Sequence, residues 1–261
     1  MKKITFLLLG ILIFSSCEDW KPLELKIDWG DKPQPLYESI TMKPLPGKES
    51  DLVEKLKEYN SLYHNKVEGT SAFLRFILSG KESGKYMWIE GPMDFNYVNE
   101  NLNADGRDQY WTKNISPLIV ESKTNFYRHA VPLSVFSKKE ITPKAYRIIG
   151  FKFFNDNGYE RTKANKIMYK FKLAEDAMGS GYSKHIFYPH EAIPGDAHFY
   201  VVFPLKSIAE EDNWDKNDNN INDWEELTSK LEEMFGDIDL IWKEWDGLVY
   251  RSESHTRIVI E

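Results

Sequence analysis

Residues 72–92 read Ala72-Phe73-Leu74-Arg75-Phe76-Ile77-Leu78, a turn from Ser79 to Lys85 that carries Gly80 and Gly84, then Tyr86-Met87-Trp88-Ile89-Glu90 closed by Gly91-Pro92. Two runs rich in aromatic and branched side chains, bounded by glycine and proline, predict a β-hairpin. A second stretch has the same grammar: Lys184 to Tyr188, a turn through Pro194-Gly195-Asp196, then His198 to Phe203 closed by Pro204. Matching Pro92 to Pro204 and Gly84 to Gly195 gives a period of about 110 residues, so the chain reads as a repeat.

Working outward, Tyr37 to Lys43 is strand-like and breaks at Pro44, Pro46 and Gly47. Leu52, Val53, Leu56, Tyr59, Leu62 and Tyr63 then recur at helical spacing, with Ser50 and Asp51 at the entrance as cap and first-turn acid. After the hairpin, a helix is expected from Tyr110 to Tyr127, kinked or opened by Pro117, and a strand from His129 to Phe136. The second half repeats the pattern. Tyr146 to Phe154 is a strand, and Ala164, Ile167, Met168, Phe171, Ala174 and Met178 form one helical stripe that stops at Gly179-Ser180-Gly181. Beyond the second hairpin, Trp224, Leu227, Leu231 and Met234 mark a helix and Tyr250 to Ile260 a last strand.

Each half is thus β-α-β-β-α-β, the split βαβ or ferredoxin-like unit, over residues 36–140 and 141–261. Such a sheet carries its helices on one face and leaves the other bare, so two copies are expected to pack sheet to sheet. The fold class is α+β: two ferredoxin-like repeats forming an intrachain α+β barrel. This order of elements resembles the dimeric α+β-barrel superfamily in tandem form, the group of antibiotic-biosynthesis monooxygenases, EthD-like and NIPSNAP-like proteins and haem-dependent chlorite dismutases. The resemblance implies a fold, and a space between the sheets that members use for substrates or haem; it rests on topology and no motif.

The leader is separate. Met1-Lys2-Lys3 precedes an apolar run, Ile4 to Phe14, that is too short to span about 30 Å of hydrocarbon. Phe14-Ser15-Ser16-Cys17 follows and resembles the lipobox of bacterial lipoproteins. That implies a signal peptide over 1–16, a Cys17 thiol carrying diacylglycerol and fatty acid such as palmitate, and anchoring in the cell envelope at the outer membrane, facing the periplasm or the surface. The alternative is an ordinary signal peptide with an incidental cysteine. Cys17 is the one cysteine in the chain, so no disulfide is available to the body. Glu18 and Asp19 resemble the surface-export signals of Bacteroidetes lipoproteins, and residues 17–35 read as a tether. A net charge of −7 argues against nucleic acid and against adsorption to anionic lipid, leaving the acyl chains to hold the protein on the bilayer. Aromatic residues make up 14%, more than a disordered stalk carries, and indicate a packed body.

Alternate strand residues share a face. Placing Leu74 and Phe76, and then Met87 and Ile89, toward the helices leaves Phe73, Arg75 and Ile77, with Tyr86, Trp88 and Glu90, toward the barrel interior. The same parity puts His185, Phe187, His198 and Tyr200 inside. The residues admit two readings: a ligand pocket lined by Arg75, Tyr86, Trp88, Glu90, His185, His198 and Tyr200, or a filled core in which Arg75 pairs with Glu90, since a buried lone charge is costly. His185, His190 and His198 do not converge by alternation, His64 and His129 stand at element ends, and no cofactor or metal is expected of them. Asp215, Asn217, Asn219, Asp223 and Glu226 fall at the intervals of an EF-hand-like calcium loop, but Asn220 stands where Gly is wanted; the other reading is a polar loop in which Asp223 caps the next helix.

No Gly-x-Ser-x-Gly, P-loop, HExxH or dinucleotide fingerprint occurs. Two functions follow from these readings. One is a membrane-anchored module that binds a small ligand or a protein partner. The alternative is a cofactor-independent monooxygenase or isomerase that uses the aromatic space between the sheets.

Overall fold

Eight strands close on one another in a computed structural model that describes residues 25–64, 71–97, 106–138, 141–179, 182–192, 194–213 and 223–260. They are β1 (Leu36–Pro44), β2 (Ser71–Ile77), β3 (Tyr86–Met93), β4 (Ile119–His129), β5 (Ala145–Phe153), β6 (His185–Pro189), β7 (Phe199–Leu205) and β8 (Val249–Val259). The order round the barrel is β1-β3-β2-β8-β5-β7-β6-β4, and every pairing is antiparallel. Read as halves, this is β4-β1-β3-β2 joined to β8-β5-β7-β6, the ferredoxin-like order twice. The joins are short. β2 meets β8 at Arg75↔Val259, Phe76↔Ile258 and Ile77↔Arg257, and β4 meets β6 at Tyr127↔Pro189, Arg128↔Tyr188 and His129↔Phe187, whereas β1 and β4 pair along their whole length. Closure leaves neither half with an exposed hydrogen-bonding edge.

Helices cover the outside. α1 (Glu49–Tyr63) lays Leu52, Leu56 and Tyr59 on Met42, Leu74 and Trp88. It starts one residue before the expected cap: Ser50 and Asp51 lie inside the helix, which begins after Lys48 without a side-chain cap. α2 (Arg107–Tyr110) runs on through a π turn at Trp111–Ile115 and a 3-10 turn at Ser116–Leu118. α3 (Gly158–Met178) is capped by the Asn157 side chain, which accepts from the Glu160 N–H, and ends at Gly179 with φ 69°. Its stripe of Ala164, Ile167, Met168, Phe171 and Ala174 packs on Phe153, Ile186, Phe199 and Val201, as the spacing predicts. α4 (Asp223–Phe235) adds Leu227 and Leu231 to this core, while Trp224 and Met234 remain exposed.

Three expectations need correction. The helix expected from Tyr110 to Tyr127 stops at Leu118, because Pro117 sits in the 3-10 turn and the residues from Ile119 onward pair with β1. The expected strand His129–Phe136 is displaced accordingly: β4 ends at His129, and Val131–Leu133 is a 3-10 turn. Pro92 and Pro204 lie within β3 and β7 and do not close them. An unforeseen helix, α5 (Ile238–Leu248), follows α4, with Asp237 accepting from the N–H groups of Asp239 and Leu240. Residues 1–24, including the signal, Cys17, Glu18 and Asp19, lie outside the described residues. At the far end of the segment read as a tether, Ile27 packs against the larger core, and the Gln34 and Pro35 carbonyls accept from Arg128 Nη1 and the His129 N–H. Of the calcium-loop residues, Asp215, Asn217 and Asn219 are likewise outside the described residues, and the helix opens at Asp223.

Candidate functional site

The barrel interior holds a cavity of about 310 Å³, within the range of small-molecule pockets, which runs from roughly 300 to 1,000 Å³. All eight strands contribute to its wall. Tyr37 and Ser39 enter from β1, Phe73 and Arg75 from β2, Ile89 from β3 and Tyr127 and His129 from β4. Tyr146 and Ile148 come from β5, His185 and Phe187 from β6, Tyr200 and Val202 from β7 and Arg257 from β8. Phe136 lines it too and, with Phe73, is exposed, at 52% and 43%, which marks the mouth.

Of the residues expected inside, Arg75, His185 and Tyr200 are there. Tyr86, Trp88 and Glu90 are not, because β3 has the opposite parity to that expected: Met87 and Ile89 face inward. Antiparallel partners share a face, and β3 pairs Trp88 with Leu74 and Tyr86 with Phe76, both on the helix side. Trp88 lies under α1, its Nε1–H donating to Asn60 Oδ1 at 2.7 Å. Glu90 ends in a cluster beyond it: Oε1 accepts from Tyr97 OH at 2.7 Å, lies 2.8 Å from His64 Nδ1 and 3.9 Å from Arg107 Nη1. Burial alone would raise this carboxyl; His64, Tyr97 and Arg107 together outweigh it and hold Glu90 below the usual carboxylate range. Glu38, its cross-strand partner on β1, is pushed up to about 7 by burial and by the Glu90 charge. The expected Arg75–Glu90 pair does not form. His198 stands just before β7, its Nδ1 accepting the Phe153 N–H at 3.0 Å, away from the cavity. Among the described residues no group of three His, Cys, Asp or Glu side chains is placed to hold a metal.

Sequence parity missed Arg257, His129 and Tyr146. Arg257 and Tyr146 are direct cross-strand partners, and Arg75 lies diagonal to Arg257 across the β2–β8 join. Only a known register could have put the two arginines together. The Arg75 guanidinium lies 3.7 Å from the Tyr146 ring centroid, and burial lowers its pKa against the raising effect of Tyr146 and Tyr37. Burial, then repulsion from Arg75, brings Arg257 down to about 10.

The two cavity histidines form a chain with Ser134. Ser134 Oγ lies 3.0 Å from the Ala130 carbonyl and accepts the Ile186 N–H at 3.0 Å; His129 Nε2 lies 3.1 Å from Ser134 Oγ and 3.3 Å from His185 Nδ1. Two assignments of hydrogens satisfy the four contacts. In one, Ser134 donates to Ala130, His129 carries its hydrogen on Nε2, shared between Ser134 and His185 Nδ1, and His185 carries its own on Nε2. In the other, His185 Nδ1–H donates to His129 Nε2, the Ser134 hydroxyl is shared between Ala130 and that nitrogen, and the His185 lone pair stands on Nε2. Burial holds both rings neutral, each with a pKa of about 4; a second cause for His129 is His185, and for His185 it is Arg75.

No protein-family model matches this chain, and no curated protein matches its sequence. Solved structures do match in fold. A protein of Lactobacillus acidophilus named as a candidate monooxygenase superposes with TM-score 0.53 at 11% identity, over 87% of this chain and 100% of that one. An anthrone oxidase-like protein gives 0.50 at 12%, over 88% and 93%. A haem-binding protein of Thermus thermophilus gives 0.48 at 6%, over 87% and 92%, and chlorite dismutases also match. The neighbourhood is therefore ferredoxin-like α+β, of the monooxygenase and chlorite dismutase type. The expectation of no cofactor is corrected to this extent: a haem-binding protein and chlorite dismutases are among the structures matched.

Whether these side chains suit haem is a separate question. Axial ligation takes an imidazole lone pair aimed at the iron. With Nδ1–H of His185 donating to His129, that lone pair stands on His185 Nε2, so His185 is the ring that would hold the iron, and a macrocycle in about 310 Å³ would extend through the mouth.

Proposed function

We propose that the barrel interior is the active site of a monooxygenase-type protein that oxidises a compact aromatic substrate. The observation that carries this reading is the cavity itself: a space open at one mouth and walled by Tyr37, Tyr127, Tyr146, Phe187 and Tyr200, with two guanidiniums and two imidazoles among its polar groups. Flat walls stack an aromatic body. Cations in a low-dielectric space favour the ionised form of an acidic C–H or O–H, and an ionised, electron-rich aromatic is what dioxygen attacks. The monooxygenase-type neighbours support the same reading through the fold they share.

Anthrone, an aromatic with an acidic methylene group, is the probe. Dioxygen places one atom on the methylene carbon, and its other atom leaves with the two methylene hydrogens as water. Oxygen uptake and appearance of the quinone should therefore exceed the protein-free rate, and Ile148→Trp, which fills the cavity, should return the rate to background. Uptake that is no faster than the protein-free control, or that is unchanged in Ile148→Trp, contradicts the reading.

The lipobox supports a second element of the proposal, attachment to an envelope membrane through acylated Cys17. On partition in Triton X-114 the full chain should enter the detergent phase and Cys17→Ser the aqueous phase. An unmodified Cys17 in the detergent phase would sink it.

A further inference from the structure

We infer that the cavity contains an oxyanion subsite, formed by Arg75, Arg257 and the Nε2–H of His185, and that the substrate carries a carboxylate on its aromatic body. The inference rests on the barrel interior being the substrate site and adds the chemical class of the substrate.

Three observations lead there. First, no aspartate or glutamate is among the described residues that line the cavity, although two arginines do. Glu253, whose charge is the last and smallest of the causes acting on Arg257, accepts from Tyr200 OH at 3.2 Å and lies 3.7 Å from Lys81 Nζ, in a second, smaller pocket that Arg257 also borders. Second, the guanidiniums keep donors without acceptors. Arg75 Nε is buried and unpartnered, and what lies against Arg75 is Tyr146, through its ring and a side-chain hydrogen bond, and Tyr37, with no carboxylate among them. Arg257 donates from Nε and Nη2 to His255 Nε2 at 3.0 and 2.8 Å, which orients its plane and leaves Nη1 without an acceptor among the described residues. His255 serves there as a neutral acceptor, since burial and the nearby Arg257 push its pKa down to about 3. Third, with its hydrogen on Nε2, one of the two assignments that the Ser134–His129–His185 chain allows, His185 adds a donor to the same wall.

Two unpaired cations in one low-dielectric space repel each other and are costly to bury, which the lowered pKa of Arg257 reflects. A carboxylate removes both costs at once. It accepts from guanidiniums in the planar geometry they favour, and a third donor completes its lone pairs. The aromatic body of the same molecule then lies along Tyr37, Tyr127 and Phe187.

The test compares 2-naphthoate with its neutral isostere 2-naphthamide by isothermal titration of the whole protein. Naphthoate should bind at least roughly tenfold tighter, the size of one charge-assisted hydrogen bond or more. Arg75→Met and Arg257→Met should each remove that advantage while leaving the amide within about twofold, and Arg257→Lys should retain part of it. Equal affinity for acid and amide in the wild-type protein overturns the oxyanion subsite without touching the barrel-interior reading, and needs no variant to fold. Binding of neither probe contradicts the barrel-interior reading instead, and the subsite falls with it.

Discussion

Glu90 and Arg75 belong to the same hairpin, yet they face opposite sides of the sheet and meet opposite surroundings. Glu90 is 4% exposed and surrounded by partners: a histidine, a tyrosine and an arginine converge on one carboxylate. Arg75 faces a second arginine and two phenols. A buried charge that meets opposite charge from its own chain works as structure, and one that meets only like charge and phenols points to a molecule from outside. The two clusters should therefore respond to substitution with opposite signs.

The largest effect is expected at Glu90. Glu90→Gln leaves Arg107 and His64 around a neutral amide, and removing one member of a buried ion pair costs about 3–5 kcal/mol. Denaturant unfolding measures this; a loss below about 1 kcal/mol would show that the cluster is solvated.

Next comes acid. The folded-state pKa of His185 is about 4, below its ordinary 6.5, so the folded protein binds fewer protons than the unfolded chain between those values. Stability present above pH 6.5 is then lost as pH falls toward 4, by up to about 3 kcal/mol for one such group. His129 behaves in the same way and is coupled to it, so the two losses do not simply add. Glu38 acts oppositely: its raised folded pKa of about 7 means that its contribution is complete below about 4.5 and is lost as pH rises through 7. Optimum stability should sit near pH 6–7, and His185→Phe should flatten the acid limb. A limb of unchanged steepness in that variant would assign the acid loss to other groups.

Arg75→Met should leave stability unchanged or raise it by about 1–2 kcal/mol, because an apolar side chain of similar length replaces a buried cation that has no counter-ion. A clear loss of stability in the ligand-free protein would mean that the guanidinium holds the barrel together. An effect of similar size and opposite sign is expected at Trp88. Trp88→Phe keeps a ring under α1 but loses the bond to Asn60, for about 1–2 kcal/mol in a melting curve, with 2-naphthoate affinity unchanged. If affinity moved with it, the outer and inner faces of β3 would not be independent.

How much of this was legible in the residues varied with the kind of information needed. The α3 stripe and its Gly179 stop, the two hairpins and the ferredoxin-like order all follow from local periodicity and turn chemistry, and all are present. Parity on β3 was not legible, because Met87 and Ile89 suit either face and the turn from Leu78 to Lys85 is too long for its residues to fix the register. Once paired, Trp88 must follow Leu74 to the helix side. Arg257 was invisible for the same reason on a larger scale: its meeting with Arg75 depends on a join between strands nearly the whole chain apart in sequence. Tyr110 to Tyr127 failed differently, because its apolar spacing suits a short irregular helix followed by a strand as well as one kinked helix.

The two short joins have a consequence of their own. Arg75 and Arg257 sit at one, His129 and Phe187 at the other, so the cavity is built from the places where the halves meet. Because both halves belong to one chain, their meeting is governed by an effective concentration, which for short linkers reaches the millimolar range, and not by how much protein is present. Joins of three residue pairs each can then persist at any dilution. A chain cut between the halves would lose that protection: cavity and barrel would assemble together, and only above a threshold of protein.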